Sequence, residues 1–551
     1  MNAVAPDQFL KASDAGETFD VVVVGSGCAG LTAALVAADT GLCVVVVEKT
    51  SRLGGASAMS GAGTWVPANH HATAAGIQDS VAEALDYLRA TAPAGWQERE
   101  DPLWRRLARR APDMLRFVES ATPLRFRLTP ESDPYPTAPG AKTAGRMMSP
   151  LPISRWRAGR FAFSIRSSTM PEIFSYHEGV ETDLYHRPVS TVLSLWPKLL
   201  WRLLTNTAGK GTALMVGLVR GCLDRNVTFL TDTRATGLVR EGARIAGVRA
   251  SRKGVDVTYH ARRGVILASG GFEWDEDLRR RHFPGAEGYL GSPSSNEGDG
   301  LRMAEEAGAA LDHLDQATIA PCMPTRYEGR LQGVPVPYYT EPNAIVVDRH
   351  GRRFVNEQYF NIGSVIGRLD PATGLPMYLP AWVVSDARYL RRLYIARYFA
   401  RFDPAWMVRA ATLDELAGKI DVRADTLRTT VERYNGFCKS GFDADFGRGA
   451  QGKSSGDKRK LSGIEPIVEA PFVAVRLDRS ILGTKGGPRT DSFGRAVTAT
   501  GAPIEGLYCA GAVMANPIGS KAVGSGTTIG PYMTWGYICG MSIAGLLTEE
   551  D

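Results

Sequence analysis

The stretch from Asp20 to Lys49, DVVVVGSGCAGLTAALVAADTGLCVVVVEK, constrains the fold of this chain more than any other. The β-branched run Val21 to Val24 predicts a strand, Gly25, Gly27 and Gly30 follow in G-x-G-x-x-G spacing, and Leu31 to Ala38 predict a helix. Strand, tight turn and helix in that order bring backbone close to a pyrophosphate. The helix start, with Cys28 and Ala29 in its first turn, supplies unpaired N–H groups at the positive end of a dipole. A second apolar run, Cys43 to Val47, ends on Glu48 and Lys49. Glu48 stands about twenty residues beyond the glycines, where a carboxylate meets a ribose hydroxyl.

At 551 residues the chain exceeds the size at which one core stops growing, so two domains are expected. Seven cysteines, Cys28, Cys43, Cys222, Cys322, Cys438, Cys509 and Cys539, form no C-x-x-C pair, and two lie inside the nucleotide unit. That is the pattern of reduced thiols in a cytoplasmic enzyme, not of a disulfide framework or a metal site. Residues 1–19 lack the basic start and apolar block of a secretory signal and read as a loose tail. A net charge of +6 is too mild to argue for nucleic acid. Two basic clusters, Trp104 to Arg110 and Arg388 to Arg401, alternate arginine with apolar residues at helical spacing. They predict solvated helix faces, with docking of an acidic partner or anionic lipid as the rival reading. The apolar stretch Val189 to Thr205 is interrupted by Pro197, Lys198 and Arg202 and fails the test for a spanning helix. It predicts either a core helix or an amphipathic segment in peripheral contact with a membrane, here the inner one, or lining an entrance for an apolar substrate.

After Glu48, Ser51 to Trp65 is rich in small residues, among them Gly55, Ala56, Ser57, Ser60, Gly61 and Gly63, which let backbone pass close to something flat and bulky. A helix is expected over 211–223 and strands near 227–230 and 245–249, leading to GVILASGGF, where an apolar run enters a turn at Ala268, Ser269 and Gly270. Asn296 to Ala309 opens a helix behind a Gly-Asp-Gly turn. From Leu311 to Ala470 prolines, aromatics and short alternating runs mark an inserted second domain, with Gly447 to Lys460 as a polar surface loop. Pro503 to Val513 is again an apolar run entering a glycine turn, at Gly511 and Ala512. Gly524, Ser525, Gly526, Thr527, Thr528 and Ile529 then open the last helix, whose first N–H groups would face an electron-rich ligand edge. The expected fold class is α/β: a Rossmann-like nucleotide-binding domain formed by 20–310 and 471–551, with an inserted α+β substrate domain at 311–470.

Six landmarks carry a family resemblance: VVVVGSGCAG with Glu48, GGASAMSGAGTW, GVILASGGF, NEGDGLRMAEEAGA, GRRFVNE at Gly351 to Glu357, and the block from GTKGG to GTTIGP. Over nearly the whole chain they resemble the flavoprotein family of fumarate reductases and, more closely, 3-ketosteroid dehydrogenases. The resemblance implies FAD, with Glu48 on the adenosine ribose and Gly524 to Ile529 beside the flavin ring. Members that hold FAD covalently carry a histidine in the stretch matching Gly55 to Gly63, and none stands here, which implies a non-covalent flavin. The reductase branch carries a histidine-glycine-x-asparagine-arginine run near its last glycine turn. GAVMANPIGSKAVG replaces it, so dicarboxylate clamping is not implied.

The ketosteroid branch desaturates a ring carbon–carbon bond beside a ketone: donors polarise the carbonyl, a tyrosine-type base removes the α-proton, and the β-hydrogen leaves as hydride. By resemblance the first tyrosine falls on Tyr135, although the usual alignment favours the place of Pro134, and the second on Tyr338 or Tyr339, which point to opposite sides of an extended strand. Gly526 matches the backbone donor to the ketone. The third tyrosine position falls on Ala522, with Lys521 before it as a substitute donor or a surface lysine; Gly526 N–H with Lys521, Tyr135 or a water would then hold the carbonyl. The expected activity is FAD-dependent desaturation of a 3-ketosteroid or cyclohexanone-type ketone, with a small hydrophobic ketone as substrate and an unidentified electron acceptor. An enone or fumarate-type reductase and an electron-transfer flavoprotein subunit are the alternatives.

Overall fold

The computed structural model describes residues 16–448 and 463–549. Residues 1–15 of the expected tail and 449–460 of the expected polar loop lie outside the described residues.

The four valines Val21 to Val24 end strand β1 (Glu17–Val24), which lies between parallel neighbours and is buried on both faces, so it carries no polar alternation. Strand β2 (Val44–Val47) and strand β3 (Thr228–Leu230) extend the sheet on one side. An antiparallel meander comes next, β4 (Thr233–Glu241), β5 (Arg244–Arg252) and the long β6 (Val255–Leu267). The far half of β6 turns back into the main sheet beside β1. There it also pairs in parallel with a strand from the other end of the chain, β8 (Pro503–Cys509), after the short antiparallel β7 (Arg495–Val497). The order is β7-β8-β6-β1-β2-β3, with β5 and β4 branching from β6. Four helices matter to the functional site: α1 (Cys28–Asp39), α2 (Pro188–Leu204), α3 (Lys210–Leu223) and α4 (Ile529–Ile543). Helices α3 and α4 both pack on α1, and all three are buried nearly all round.

The second domain is built on a four-stranded antiparallel sheet, Ile345–Val347, Ala381–Ser385, Phe472–Leu477 and Met407–Ala410 in spatial order, so its third strand lies past residue 470. Period-two alternation divides its side chains. Val346, Val383 and Val475 join a core with Tyr338, Tyr389 and Trp406, while Ile345, Val347 and Val384 meet the helices Leu413–Lys419 and Ala424–Ser440. The landmark GRRFVNE serves this packing. Arg353 bridges Glu357 and Asp443 at 2.9 and 2.7 Å, and Glu357 accepts the Val346 N–H at 3.0 Å.

Both arginine clusters lie on helices, mostly on their solvated faces, with Arg106 of the first buried at 6% exposure. The first lies on the helix Gln97–Ala121, which buries Trp104, Leu107 and Ala108 and exposes Arg105 and Arg109. In the second, Arg388, Arg391 and Arg392 are paired with Asp386, Glu469 and Glu465. Helix α2 is a surface helix: Thr191, Leu199 and Arg202 are buried, while Leu193, Trp196, Trp201 and Leu204 are 57–73% exposed. No helix among the described residues is long and apolar enough to cross a membrane.

Candidate active site

The carboxyl ends of β1, β2 and β6 open into one continuous cavity, the crevice in which open α/β sheets take their ligands. At the end of β1 the chain turns through Gly25, with φ +108° and an added Cβ only 2.4 Å from the Ala268 carbonyl oxygen, so no side chain fits. Gly27 differs. It caps α1 with an ordinary φ of −72°, and a Cβ there would meet only the Ser57 hydroxyl at 3.6 Å. Its missing side chain therefore leaves room for a ligand, not for the protein. No side chain caps α1, and of its first N–H groups Cys28 donates to Ser57 Oγ at 3.1 Å. Burial pushes the Cys28 thiol up to about 11, which keeps it neutral against the dipole.

Glu48, 9% exposed, lines the cavity where β2 ends. Its Oε2 accepts from Ser26 N and Oγ at 3.2 and 2.6 Å, and its Oε1 from Thr50 N and Oγ1 at 2.9 and 3.0 Å. These bonds fix the orientation of the carboxylate. Lys49 reaches instead to Glu297 and Asp299 at 2.5 and 2.9 Å, tying the turn after β2 to the Asn296 loop. Across the cavity Ser269 presents a buried hydroxyl that finds no partner among the described residues. Helix α4 begins at Ile529 with no side-chain cap; the Gly530 N–H donates to the Gly526 carbonyl at 3.1 Å and Pro531 has none, so Ile529, which lines the same space, is the position left to offer a donor. Of the residues expected at a cofactor, all but Gly30, Gly63, Gly524, Ser525, Gly526 and Thr527 line this cavity. Gly30 allows close approach of α1 to the Gly25 turn, and Thr527 Oγ1 donates to the Gly524 carbonyl at 2.6 Å to close its own turn.

Gly63, Ser525 and Gly526 meet one another at the rim. Gly526 has φ +89°, a Cβ on it would lie 2.3 Å from the Gly63 carbonyl oxygen, and its own carbonyl accepts the Trp65 N–H at 3.3 Å. No acceptor among the described residues takes the Gly526 N–H. Of the two adjacent tyrosines, Tyr338 faces the second domain's core. It is fully buried against Trp406, its hydroxyl donates to the Arg476 carbonyl at 2.8 Å, and burial holds its pKa well above the usual tyrosine value. Tyr339 is half-buried, edge-on to Tyr338, and its hydroxyl makes no hydrogen bond among the described residues; burial pushes it up as well. Lys521 is exposed, the position of a surface lysine and not of a buried carbonyl donor.

Tyr135 is tied to Ala522 through Asn361, a link the sequence did not reveal. Asn361 Nδ2 donates to the Tyr135 hydroxyl at 2.6 Å and to the Ala522 carbonyl at 2.9 Å, while its Oδ1 accepts the Ala522 N–H at 2.8 Å. Burial and the neighbouring Tyr359 hydroxyl raise the Tyr135 pKa. Two further residues went unforeseen. Tyr176 lies against Gly61 and Gly63, and its hydroxyl donates to the buried Glu131 at 3.0 Å.

The chain matches the FAD binding domain family over residues 20–529 and belongs to it. It is 35% identical over 554 residues to 4-oxocyclohexanecarboxylate 2-dehydrogenase of Sinomonas cyclohexanicum, covering 97% of this chain and 94% of that relative. It is 36% identical over 571 residues to 3-oxosteroid 1-dehydrogenase of Mycolicibacterium smegmatis, covering 96% and 98%. Among solved structures, 3-ketosteroid Δ1-dehydrogenase from Sterolibacterium denitrificans in complex with 1,4-androstadiene-3,17-dione matches with a TM-score of 0.84 at 31% identity, over 96% of this chain and all of that one. A flavocytochrome c3 fumarate reductase at 21% identity and a TM-score of 0.65 shares the fold. The cavity fits FAD: an open helix start beside a side-chain-free Gly27, a carboxylate at the end of β2 and an orphaned buried hydroxyl at Ser269 are the donors and acceptors a dinucleotide needs. The protein is an FAD-dependent oxidoreductase.

Proposed function

We propose that this enzyme desaturates the α,β carbon–carbon bond of a cyclic ketone, of 3-ketosteroid or cyclohexanone type. The observation that carries the reading is the Gly526 turn: a left-handed glycine, locked on Gly63 at the rim of the FAD cavity, whose N–H has no acceptor among the described residues. A backbone donor fixed in that way polarises a carbonyl oxygen and makes the neighbouring C–H acidic. FAD, when bound, accepts the β-hydrogen as hydride. The Asn361 clamp holds the Tyr135 hydroxyl beside Ala522, where it shapes the polar end of the ketone site. Of the paired tyrosines only Tyr339 remains available to substrate, because Tyr338 is spent on the core. The absence of a histidine over Gly55 to Gly63 supports a non-covalent flavin. Anaerobic titration of the yellow protein with a 3-ketosteroid, a cyclohexanone and succinate tests the reading. Bleaching by a ketone and not by succinate is expected; bleaching by succinate alone, or by none, refutes it.

Helix α2 supports a peripheral contact with an anionic lipid surface. Its exposed Leu193, Trp196, Trp201 and Leu204 continue into exposed Trp156 and Phe163, because the Arg155 N–H donates to the Asn206 carbonyl just beyond the helix. Arg157, Arg160 and Lys198, on the same two segments, are exposed as well. Leu184 and Tyr185, just ahead of α2, line the cavity, which puts the greasy face beside a path for an apolar ketone. Co-sedimentation with vesicles containing anionic lipid, lost in Leu193→Glu with Trp196→Glu, is expected; equal sedimentation of wild type and variant refutes it.

A further inference from the structure

Two of the eight histidines in this chain, His70 and His71, are adjacent, and neither lines the FAD cavity. They open the short helix His70–Ala74, whose entry is fixed by Asn69. The Asn69 Oδ1 accepts the Ala72 N–H at 2.9 Å, and its Nδ2 donates to the Val66 and Gly145 carbonyls at 2.8 and 2.7 Å. Held in this way, the two rings lie with centroids 4.2 Å apart and bring both Nε2 atoms to the same carboxylate. That carboxylate is Glu119, buried in the last turn of the helix Gln97–Ala121, where the Phe126 N–H donates to its Oε1 at 2.9 Å.

Glu119 Oε2 lies 2.8 Å from His70 Nε2 and 2.9 Å from His71 Nε2. One ligand-type atom from each of three residues therefore surrounds a single point, all within 4.8 Å of one another. Hydrogen bonding alone serves this set poorly. Both rings crowd one oxygen, and His70 Nδ1 is buried with no partner among the described residues. No arginine or lysine among the described residues pairs with the carboxylate: Arg116 turns to Asp113 at 3.4 Å, and Arg125 donates to backbone carbonyls. A doubly charged ion answers both facts, because it compensates the carboxylate and takes the Nε2 lone pairs of two neutral rings. Ligand atoms at about 2.0–2.1 Å from a tetrahedral ion stand about 3.3 Å apart, so the triangle has to open by only a few tenths of an ångström. Both histidines are partly exposed, which leaves a further position to water and a path in from solvent.

We propose that His70, His71 and Glu119 bind one divalent transition ion of the zinc type. The donor set selects the chemistry: two imidazoles and a carboxylate suit Zn²⁺ or Cu²⁺, whereas Mg²⁺ and Ca²⁺ take oxygen donors. The site is built without cysteine, so the cysteine spacings carry no sign of it. Its role is structural. Phe126, which fixes Glu119, begins the edge strand Phe126–Leu128 of a three-stranded sheet. The other edge, Thr64–Trp65, follows Gly63 and donates the Trp65 N–H to the Gly526 carbonyl. An ion on Glu119 ties the helix His70–Ala74 to the sheet behind the cavity rim.

Tag-free, FAD-loaded protein is stripped with EDTA and dialysed against Zn²⁺, Mg²⁺ or Ca²⁺ separately, and bound metal and the thermal midpoint are measured. One Zn²⁺ per chain and a raised midpoint are expected, with neither Mg²⁺ nor Ca²⁺ retained. His70→Gln, His71→Gln and Glu119→Gln should each weaken Zn²⁺ binding by at least about 10–100-fold, the cost of disturbing even a supporting partner of a metal ligand. Flavin content and the midpoint in EDTA should stay near wild type. With Cu²⁺ as the probe, electron paramagnetic resonance should show splitting from two nitrogens, and from one in either histidine variant. No bound Zn²⁺, Zn²⁺ bound equally by the variants, preference for Mg²⁺ or Ca²⁺, or a Cu²⁺ signal without nitrogen splitting overturns the proposal. If one histidine variant fails to fold, the other decides, together with the wild-type Cu²⁺ spectrum.

Discussion

Gly27→Val separates what a glycine does for a fold from what it does for a ligand. Gly27 has φ −72° and ψ 176°, open to valine, and its added Cβ would meet only Ser57 Oγ at 3.6 Å. The apoprotein should therefore keep its stability within about 0.5 kcal/mol, the range of a substitution that disturbs no packing. The side chain enters the space in front of the α1 start. If it displaces a pyrophosphate from two backbone donors worth about 1.5–3 kcal/mol each as charge-assisted bonds, FAD binding weakens by about 3–6 kcal/mol, or about 10²–10⁴-fold. The assay pairs the flavin-to-protein absorbance ratio after gel filtration with FAD titration of apoprotein and its thermal midpoint. Gly25→Val is the control: with φ +108° and a Cβ 2.4 Å from a carbonyl oxygen, it should lose the fold itself. A stably folded Gly27→Val protein that purifies fully yellow refutes the placement of the cofactor, and one that unfolds with Gly25→Val refutes the distinction.

Gly526→Ala forces Cβ against the Gly63 carbonyl and should cut flavin bleaching by the ketone about 10²–10³-fold, the cost of one oxyanion-type donor; an unaffected rate would show that the carbonyl is held elsewhere. Tyr338→Phe leaves the buried Arg476 carbonyl without its donor and should cost about 1–3 kcal/mol in denaturant unfolding with turnover intact. Arg146→Met strands the buried carboxylates of Asp79 and Asp133, the second of which also accepts the Trp65 indole N–H at 3.3 Å; a loss of about 3–5 kcal/mol is expected from unfolding curves. For His186, burial alone would lower the pKa, but hydrogen bonds and charge from Glu341 and Asp183, at 2.8 and 2.5 Å, raise it. A group raised on folding stabilises fully below its unfolded value, near 6.5, and loses that contribution as pH rises through the folded value. His186→Gln should therefore flatten the fall in thermal midpoint between mildly acidic and mildly alkaline pH, and an unchanged slope would show that the imidazole is not the titrating group.

The β1–α1–β2 unit was legible because its information is local: a two-face-buried strand, a glycine turn and a small-residue helix stand in thirty consecutive positions. The same holds for the alternation that separates Tyr338 from Tyr339, though not for which of them faces the core, since that depends on Trp406 and Arg476 far along the chain. Helix α2 was readable as a helix. Its apolar residues wrap too much of its circumference for the pattern to say whether protein or solvent covers them. The Tyr176–Glu131–Ser525 group was hidden altogether. Glu131 reads like any loop carboxylate, Tyr176 carries no motif, and only the tertiary approach of Ser525 reveals that the carboxylate is buried. Asn361 escaped for the same reason: it follows the GRRFVNE landmark, yet its partners come from Tyr135 and Ala522.

The sheet holds one more consequence, for the order of events in making the protein. Strand β8 pairs with β6, and α4 lies on α1, so a cradle begun near one end of the chain is finished by residues near the other. A nascent chain still threading its second domain from the ribosome presents β6 with one edge unpaired and α1 with an apolar flank uncovered, the kind of surface that invites misassembly. Flavin arriving during synthesis meets half a site. Loading is therefore an event of the released chain, and a polypeptide stopped short of β8 should be recognisable in the cell as a colourless, protease-sensitive fragment.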